Sequence, residues 1–135
     1  MSSMFLEYGN SHLHKYGETL CGDYVIVRKN RGITTTVLSD GLGSGVKAHI
    51  LATLTSQILC TMLSNDLPID QCVYTIAKTL PVDQVRQLAY ATFTIFQVDE
   101  QGHAYIAQYD NPKAIILRGG KNLEYETQKS VVYDK

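Results

Sequence analysis

The stretch Thr36-Val37-Leu38-Ser39-Asp40-Gly41-Leu42-Gly43-Ser44-Gly45-Val46-Lys47-Ala48 changes character twice along its length. An apolar and β-branched run ends on a carboxylate, a loop with glycine at every second position follows, and a helical pattern then begins. This order predicts a strand, a tight loop and a helix, with Asp40 at the end of the strand. Because Gly41 has no side chain, the backbone beside Asp40 is open to close approach. A carboxylate in that position is well placed to hold a divalent cation.

A second acid, Asp23, follows Cys21-Gly22 at the start of another predicted strand. Our hypothesis is that Asp23 and Asp40 share one site, with the Gly41 carbonyl as a further ligand. Mg²⁺ and Mn²⁺ prefer such oxygen ligands, and they can activate water for attack on a phosphoryl group. An Asp-Gly pair after a strand is more often only a turn. A plain hairpin turn would lead into another strand, however, whereas this one is followed by a long helical pattern.

The composition is that of an ordinary globular chain. It has 135 residues, which suits one domain, with 44% apolar and 19% charged residues. The 12 basic and 13 acidic residues give a net charge of −1, so no basic surface for nucleic acid or for an acidic membrane is indicated. The three cysteines (Cys21, Cys60 and Cys72) are odd in number and widely spaced, which indicates reduced thiols. With no signal-peptide pattern and no apolar stretch near ~18 residues, a cytoplasmic protein without membrane contact is expected.

The order of elements predicts the fold class. Apolar spacing predicts a helix from Val46 to about Ser64 and a second helix that ends before Pro81. The predicted strands are Met4–Tyr8, Asp23–Lys29, Gly32–Ser39, Ala89–Val98, His103–Tyr109, Ala114–Leu117, Leu123–Tyr125 and one that opens at Val131. Two helices between groups of hairpin-connected strands indicate an α+β fold, an antiparallel β-sandwich flanked by helices.

Other readings of the same residues stay open at this point. The glycine loop could bind a nucleotide, although it lacks both the dinucleotide spacing and the lysine of a phosphate-binding loop. His12 and His14 could form a zinc site with Cys21 or His49, but a solvated strand end is the simpler interpretation. Cys21 is a poor candidate nucleophile, because the neighbouring Asp23 carboxylate disfavours a thiolate.

Three motifs give the chain a resemblance to a known family. The segments Gly17-Glu18-Thr19-Leu20-Cys21-Gly22-Asp23, Leu38–Ala48 and Tyr90-Ala91-Thr92-Phe93-Thr94 resemble, in order and spacing, the PPM-type metal-dependent protein phosphatases. The branch is the bacterial one typified by the stage II sporulation protein E phosphatase. The resemblance implies hydrolysis of phosphoserine or phosphothreonine on a protein by water activated at a centre of two Mn²⁺ or Mg²⁺ ions.

The resemblance also implies roles for particular residues. Asp23 and Asp40 would be metal ligands, Gly41 would contribute its carbonyl, and Glu18 would lie behind the ligands. Helices that start at about Val46 and Ile69 match a pair that is thought to switch activity in this branch. The histidine that often follows Asp-Gly in eukaryotic members is Leu42 here, so the resemblance assigns no general acid.

One feature of the family is missing. Its members carry further metal-binding aspartates late in the domain, including one in a second Asp-Gly motif. No such Asp-Gly motif follows Leu117 here. The chain is therefore expected to be the N-terminal part of such a domain, with one weak metal site or none and little turnover. An uncovered sheet edge is expected to make it a homo-oligomer. A non-catalytic, phosphatase-like module that binds a partner protein is the alternative function.

Overall fold

The computed structural model describes residues 5–11, 13, 16–17, 21–41, 45–79, 91–109 and 111–126. Its elements in chain order are β1 (Asp23–Asn30), β2 (Ile33–Asp40), α1 (Gly45–Ser64), α2 (Ile69–Thr79), β3 (Thr92–Val98), β4 (Ala104–Tyr109), β5 (Leu117–Arg118) and β6 (Lys121–Asn122). The first four strands form one antiparallel sheet in the order β1-β2-β3-β4, and β5 pairs with β6 in a separate ladder. The predicted α+β class is confirmed, and within the described residues it is built on one four-stranded sheet.

The turn between β1 and β2 is a two-residue hairpin loop. Asn30 pairs with Ile33, which leaves Arg31 and Gly32 as the loop residues, with φ of 53° and 78°. A two-residue loop of type I′ needs positive φ at both positions, which glycine and asparagine adopt most easily. Gly32 is such a residue, but Asn30 lies outside the loop as the last residue of β1. Arg31 adopts the left-handed conformation instead, and its Nη1 donates to Asp66 Oδ2 at 2.6 Å.

The register of the sheet separates two faces, because residues that pair across strands point to the same side. The helix-covered face carries Val37, Phe93 and Ile95, which are buried with Leu59, Cys60, Leu63, Cys72 and Ile76 of the two helices. The opposite face carries Leu38, which is 42% exposed, and Phe96, which is half-buried. The helices therefore cover one side of the sheet, and Asp23 and Asp40 belong to the other side.

Helix α1 is more apolar than expected from the sequence, in which no apolar stretch near ~18 residues was found. It is the one helix, among the described residues, that is long and apolar enough to cross a membrane by length and composition, with a mean hydropathy of 1.3. Core helices of globular domains meet the same criterion. Ala52, Leu59 and Cys60 on α1 are fully buried against the rest of the protein.

Some predicted strands are wrong. Residues 5–8 of the first predicted strand are not in a ladder, and neither are residues 114–116 or 123–125. In place of the last two, the chain forms the short β5–β6 hairpin around Gly119 and Gly120, whose φ values are 59° and 77°. Apolar and β-branched residues favour a strand only where a neighbour supplies hydrogen bonds. Leu80, Ala89, Tyr90 and the strand predicted from Val131 lie outside the described residues.

The three cysteines are free and buried, in agreement with the prediction of reduced thiols. Burial raises the pKa of the Cys72 thiol to about 11, and burial also raises the pKa of Cys60. Both thiols are therefore neutral at pH 7. Since ionisation of Cys72 is easier in the unfolded chain, its contribution to stability is present below pH 9 and is lost as the pH rises towards 11.

A buried hydroxyl pair connects α1 to β2. Ser56 Oγ donates to Ser39 Oγ at 2.7 Å, and both residues are fully buried. We expect Ser39→Ala to lower the free energy of unfolding by about 1–3 kcal/mol, because the Ser56 hydroxyl loses its acceptor. When Ser56→Ala is added to Ser39→Ala, the free energy of unfolding should fall by much less than it does for Ser39→Ala alone. The reason is that the double variant has no unpaired Ser56 hydroxyl. Urea denaturation of the single and double variants measures this coupling, and strictly additive costs would contradict it.

Candidate metal centre

The two predicted acids lie opposite each other at one end of the sheet. Asp23, the first residue of β1, pairs in register with Asp40, the last residue of β2. The Gly41 amide donates to the Gly22 carbonyl at 2.8 Å, which closes the ladder just beyond the pair. This pattern makes Asp23 and Asp40 a non-hydrogen-bonded pair, with Cα atoms about 4.5 Å apart and side chains on the same face. We call these two residues the carboxylate pair.

The third sequence motif reaches the same place. Thr92, the first residue of β3, is the register partner of Asp40 and is only 5% exposed. A row of Asp23, Asp40 and Thr92 therefore crosses three neighbouring strands on the face away from the helices. The three motifs are distant in sequence, and the antiparallel sheet brings them to one edge.

Gly41 contacts the backbone of α1. A Cβ on Gly41 would lie 2.5 Å from the carbonyl carbon and 2.6 Å from the Cα of Ala48, and closer still to the Ala48 carbonyl oxygen. No side chain fits there without movement of the helix. Packing against α1 therefore requires glycine after Asp40, whether or not a ligand binds there.

His49, the next residue of α1, contacts the other strand. Its Nδ1 lies 2.8 Å from the carbonyl oxygen of Cys21, and its ring meets the ring of Tyr24 edge-on, with centroids 6.3 Å apart. Cys21 Sγ in turn accepts the Asp23 amide at 3.4 Å and donates to the Leu13 carbonyl at 3.7 Å. The residues just before β1 are thus held by α1 and by a local sulfur contact.

The donor set of the carboxylate pair fits a hard divalent cation. Both side chains offer oxygen, which Mg²⁺ and Mn²⁺ prefer, and like charges directly opposite in a sheet repel. A cation between them would turn that repulsion into attraction. Among the described residues, no group of three or more His, Cys, Asp or Glu side chains is placed to hold a metal ion. The remaining ligands would have to be water, backbone carbonyls or residues outside the described ranges.

The other predicted site residues have mixed outcomes. Glu18 lies outside the described residues, as do His12 and His14 of the zinc alternative. Val46 is the second residue of α1 and is 62% exposed, whereas Ile69 is the first residue of α2 and packs against the core. Their regulatory role stays a prediction.

Sequence reasoning gave Ala48 and Thr92 no role in this region, and it considered His49 only as a member of the zinc alternative. The available signal for His49 was a polar ring near the start of an otherwise apolar helix. Thr92 lay in a quoted motif without a role, and only the register brings it beside Asp40.

The family model described as stage II sporulation protein E matches residues 30–132. The chain belongs to this family. The match includes Asp40 and Gly41 but begins after Asp23, so the place of Asp23 in the site depends on the register described above. No curated protein sequence matches the chain.

Several solved structures share the fold of this chain. The PP2C phosphatase domain of SpoIIE from Bacillus subtilis, solved with a fragment of its regulatory domain, is 21% identical with a TM-score of 0.58, over 75% of this chain and 35% of that one. A chain from work on the bacterial stressosome is 20% identical with a TM-score of 0.58, over 73% of this chain and 48% of that one. RsbX in complex with magnesium is 15% identical with a TM-score of 0.52, over 70% of this chain and 54% of that one. These likenesses show the fold, and our chain spans about half or less of each structure.

Proposed function

We propose that this chain is part of a metal-dependent protein serine/threonine phosphatase, which hydrolyses phosphoserine or phosphothreonine on a regulatory protein. The observation that carries the proposal is the carboxylate pair, aligned in register at one end of the sheet in a member of the stage II sporulation protein E family. The magnesium complex of RsbX, a structure with the same fold, supports a divalent cation as the cofactor.

The proposed function gives roles to three residues of the chain. Asp23 and Asp40 would hold Mn²⁺ or Mg²⁺ with their carboxylates, and the Gly41 carbonyl would add a further oxygen. When bound, such an ion supplies charge stabilisation for a phosphoryl group and activates water. The antiparallel register of β1 and β2 would keep the two carboxylates opposite each other, so this part of the site forms together with the sheet. A general acid is not assigned.

For the chain by itself we propose weak metal binding and little turnover. Two carboxylates leave most positions around a hard cation to water, which lowers the affinity. Rapid, metal-dependent hydrolysis of a phosphopeptide by the isolated chain would contradict this. We also propose self-association through an edge of the four-stranded sheet, where β1 and β4 are the outer strands in the described part of the chain.

Manganese titration tests the proposal. Mn²⁺ at ten times its dissociation constant should stabilise the chain by about 1.4 kcal/mol, measured as a shift of the thermal unfolding midpoint. Asp40→Asn should abolish that shift, because it removes one of the two charges that attract the ion. Asp66→Asn is the matched control, since Asp66 is exposed, carries a positive φ that asparagine tolerates, and lies on the helix α1–α2 connection.

The outcomes separate the two candidate functions. A manganese shift that is lost in Asp40→Asn and kept in Asp66→Asn supports a phosphatase metal site. If Mn²⁺ leaves the original chain and both variants unchanged, the non-catalytic binding module becomes the better interpretation.

A further inference from the structure

We propose that His49 is a positioning residue for the metal-binding end of β1, holding Asp23 at the correct distance from Asp40 through the Cys21 carbonyl. This inference rests on the proposed function, since positioning matters only if the carboxylate pair binds a cation. It assigns a role to a side chain that neither the family match nor the sequence motifs single out.

The imidazole ring of His49 has a defined hydrogen-bond partner. The Nδ1 atom of His49 lies 2.8 Å from the Cys21 carbonyl oxygen. A carbonyl oxygen can only accept a hydrogen bond, so Nδ1 must be the donor and carries a proton. The contact therefore selects one tautomer of the neutral ring and fixes its orientation.

The Cys21 carbonyl lies just before the metal-binding end of β1. Cys21 lies two residues before Asp23, which opens β1, and β1 is an outer strand of the described sheet. Strand ends open more readily than strand centres, because fewer hydrogen bonds hold them. The contact from His49 acts just where the β1–β2 ladder closes with the Gly41 amide on the Gly22 carbonyl.

Helix α1 reaches both strand ends through consecutive residues. Ala48 meets Gly41, which follows Asp40, through its backbone. His49 meets Cys21, which precedes Asp23, through its side chain. The helix thereby sets the spacing of the two carboxylates from the other face of the sheet, and His49 supplies the one contact of the two that a side-chain substitution can remove.

Two substitutions of similar shape isolate this hydrogen bond. In His49→Asn the amide nitrogen occupies nearly the position of Nδ1 and can still donate to the Cys21 carbonyl. In His49→Leu the branching is the same but the donor is lost. Both remove the imidazole ring and its contact with Tyr24, so any difference between the two variants reports the hydrogen bond.

The experiment combines amide hydrogen exchange with Mn²⁺ binding by calorimetry on the full chain and both variants. His49→Leu should speed exchange at the Asp23 and Gly41 amides about tenfold, with Val37 in the sheet core unchanged as the internal reference. It should weaken Mn²⁺ binding by about tenfold or more, as loss of a contact behind metal ligands does elsewhere. His49→Asn should keep both quantities within about twofold of the original chain.

Equal exchange rates and equal Mn²⁺ affinities in the two variants would overturn the proposal. So would an equal rise in exchange at the amides of Asp23, Gly41 and Val37, because that indicates a general loss of stability. If the original chain binds no Mn²⁺, the proposed function fails by that result. The exchange rates then still test the contact of His49 separately: a local change in His49→Leu alone shows that His49 holds the start of β1, and its absence refutes this.

Discussion

Gly41→Ala is expected to lower the free energy of unfolding by about 3 kcal/mol, which is near the upper end for overpacking. The new Cβ would lie 2.5 and 2.6 Å from the carbonyl carbon and Cα of Ala48. These are backbone atoms of a helix, so no side-chain rotation can relieve the clash, and α1 or the end of β2 must move. Because Asp40 precedes Gly41 directly, the stabilisation by Mn²⁺ should be lost as well. Urea denaturation with and without Mn²⁺ measures both effects.

Gly9→Ala is the matched control for this substitution. A Cβ on Gly9 would have no neighbour within 4 Å, so the cost should stay within about 0.5 kcal/mol. Unfolding of Gly41→Ala at the same urea concentration as the original chain would show that the close approach of α1 to the strand end is not a feature of the folded protein.

Phe93→Ala should destabilise the fold by about 3–5 kcal/mol. Phe93 is 1% exposed, lies in the core beneath the helices, and stacks on Tyr109 with ring centroids 5.6 Å apart. Its truncation removes a large apolar side chain and leaves a cavity between the sheet and the helices. Since small domains are stable by only about 5–15 kcal/mol, much of the total would be lost.

Phe96→Ala provides the comparison on the same strand. Phe96 points to the sheet face opposite the helices and is half-buried, so its truncation should cost clearly less than that of Phe93. Thermal or urea unfolding of both variants ranks them. Equal costs would mean that both faces of β3 are equally covered, in agreement with the full sandwich that the sequence predicted.

The local chemistry of the sequence was sufficient for most of the elements. Apolar spacing predicted α1 to within one residue at its start, and β-branched runs predicted β1 and β2. These predictions succeed because the residues concerned have a strong period and clear stop signals. The predicted strands at 5–8, 114–116 and 123–125 fail because a strand also needs a neighbour, and no local pattern states which segment will be adjacent.

For the candidate site, the sequence predicted the type of ligand. Asp40 and Gly41 after a buried strand, and Asp23 at the start of another, predicted oxygen ligands for a hard cation. It also predicted that both acids would lie at strand ends, as the structure has them. What it could not determine was the distance between them, because Asp23 and Asp40 are separated by a hairpin whose register follows from the turn at Arg31 and Gly32.

The arrangement of Asp23, Asp40 and Thr92 in one row follows from the pairing of three strands, and Ala48 and His49 reach both strand ends from the other face of the sheet. Pairing between strands and packing of a helix on a sheet join residues that are far apart in the chain. Their energies depend on the complete arrangement, and for that reason no stretch of sequence carries this information alone.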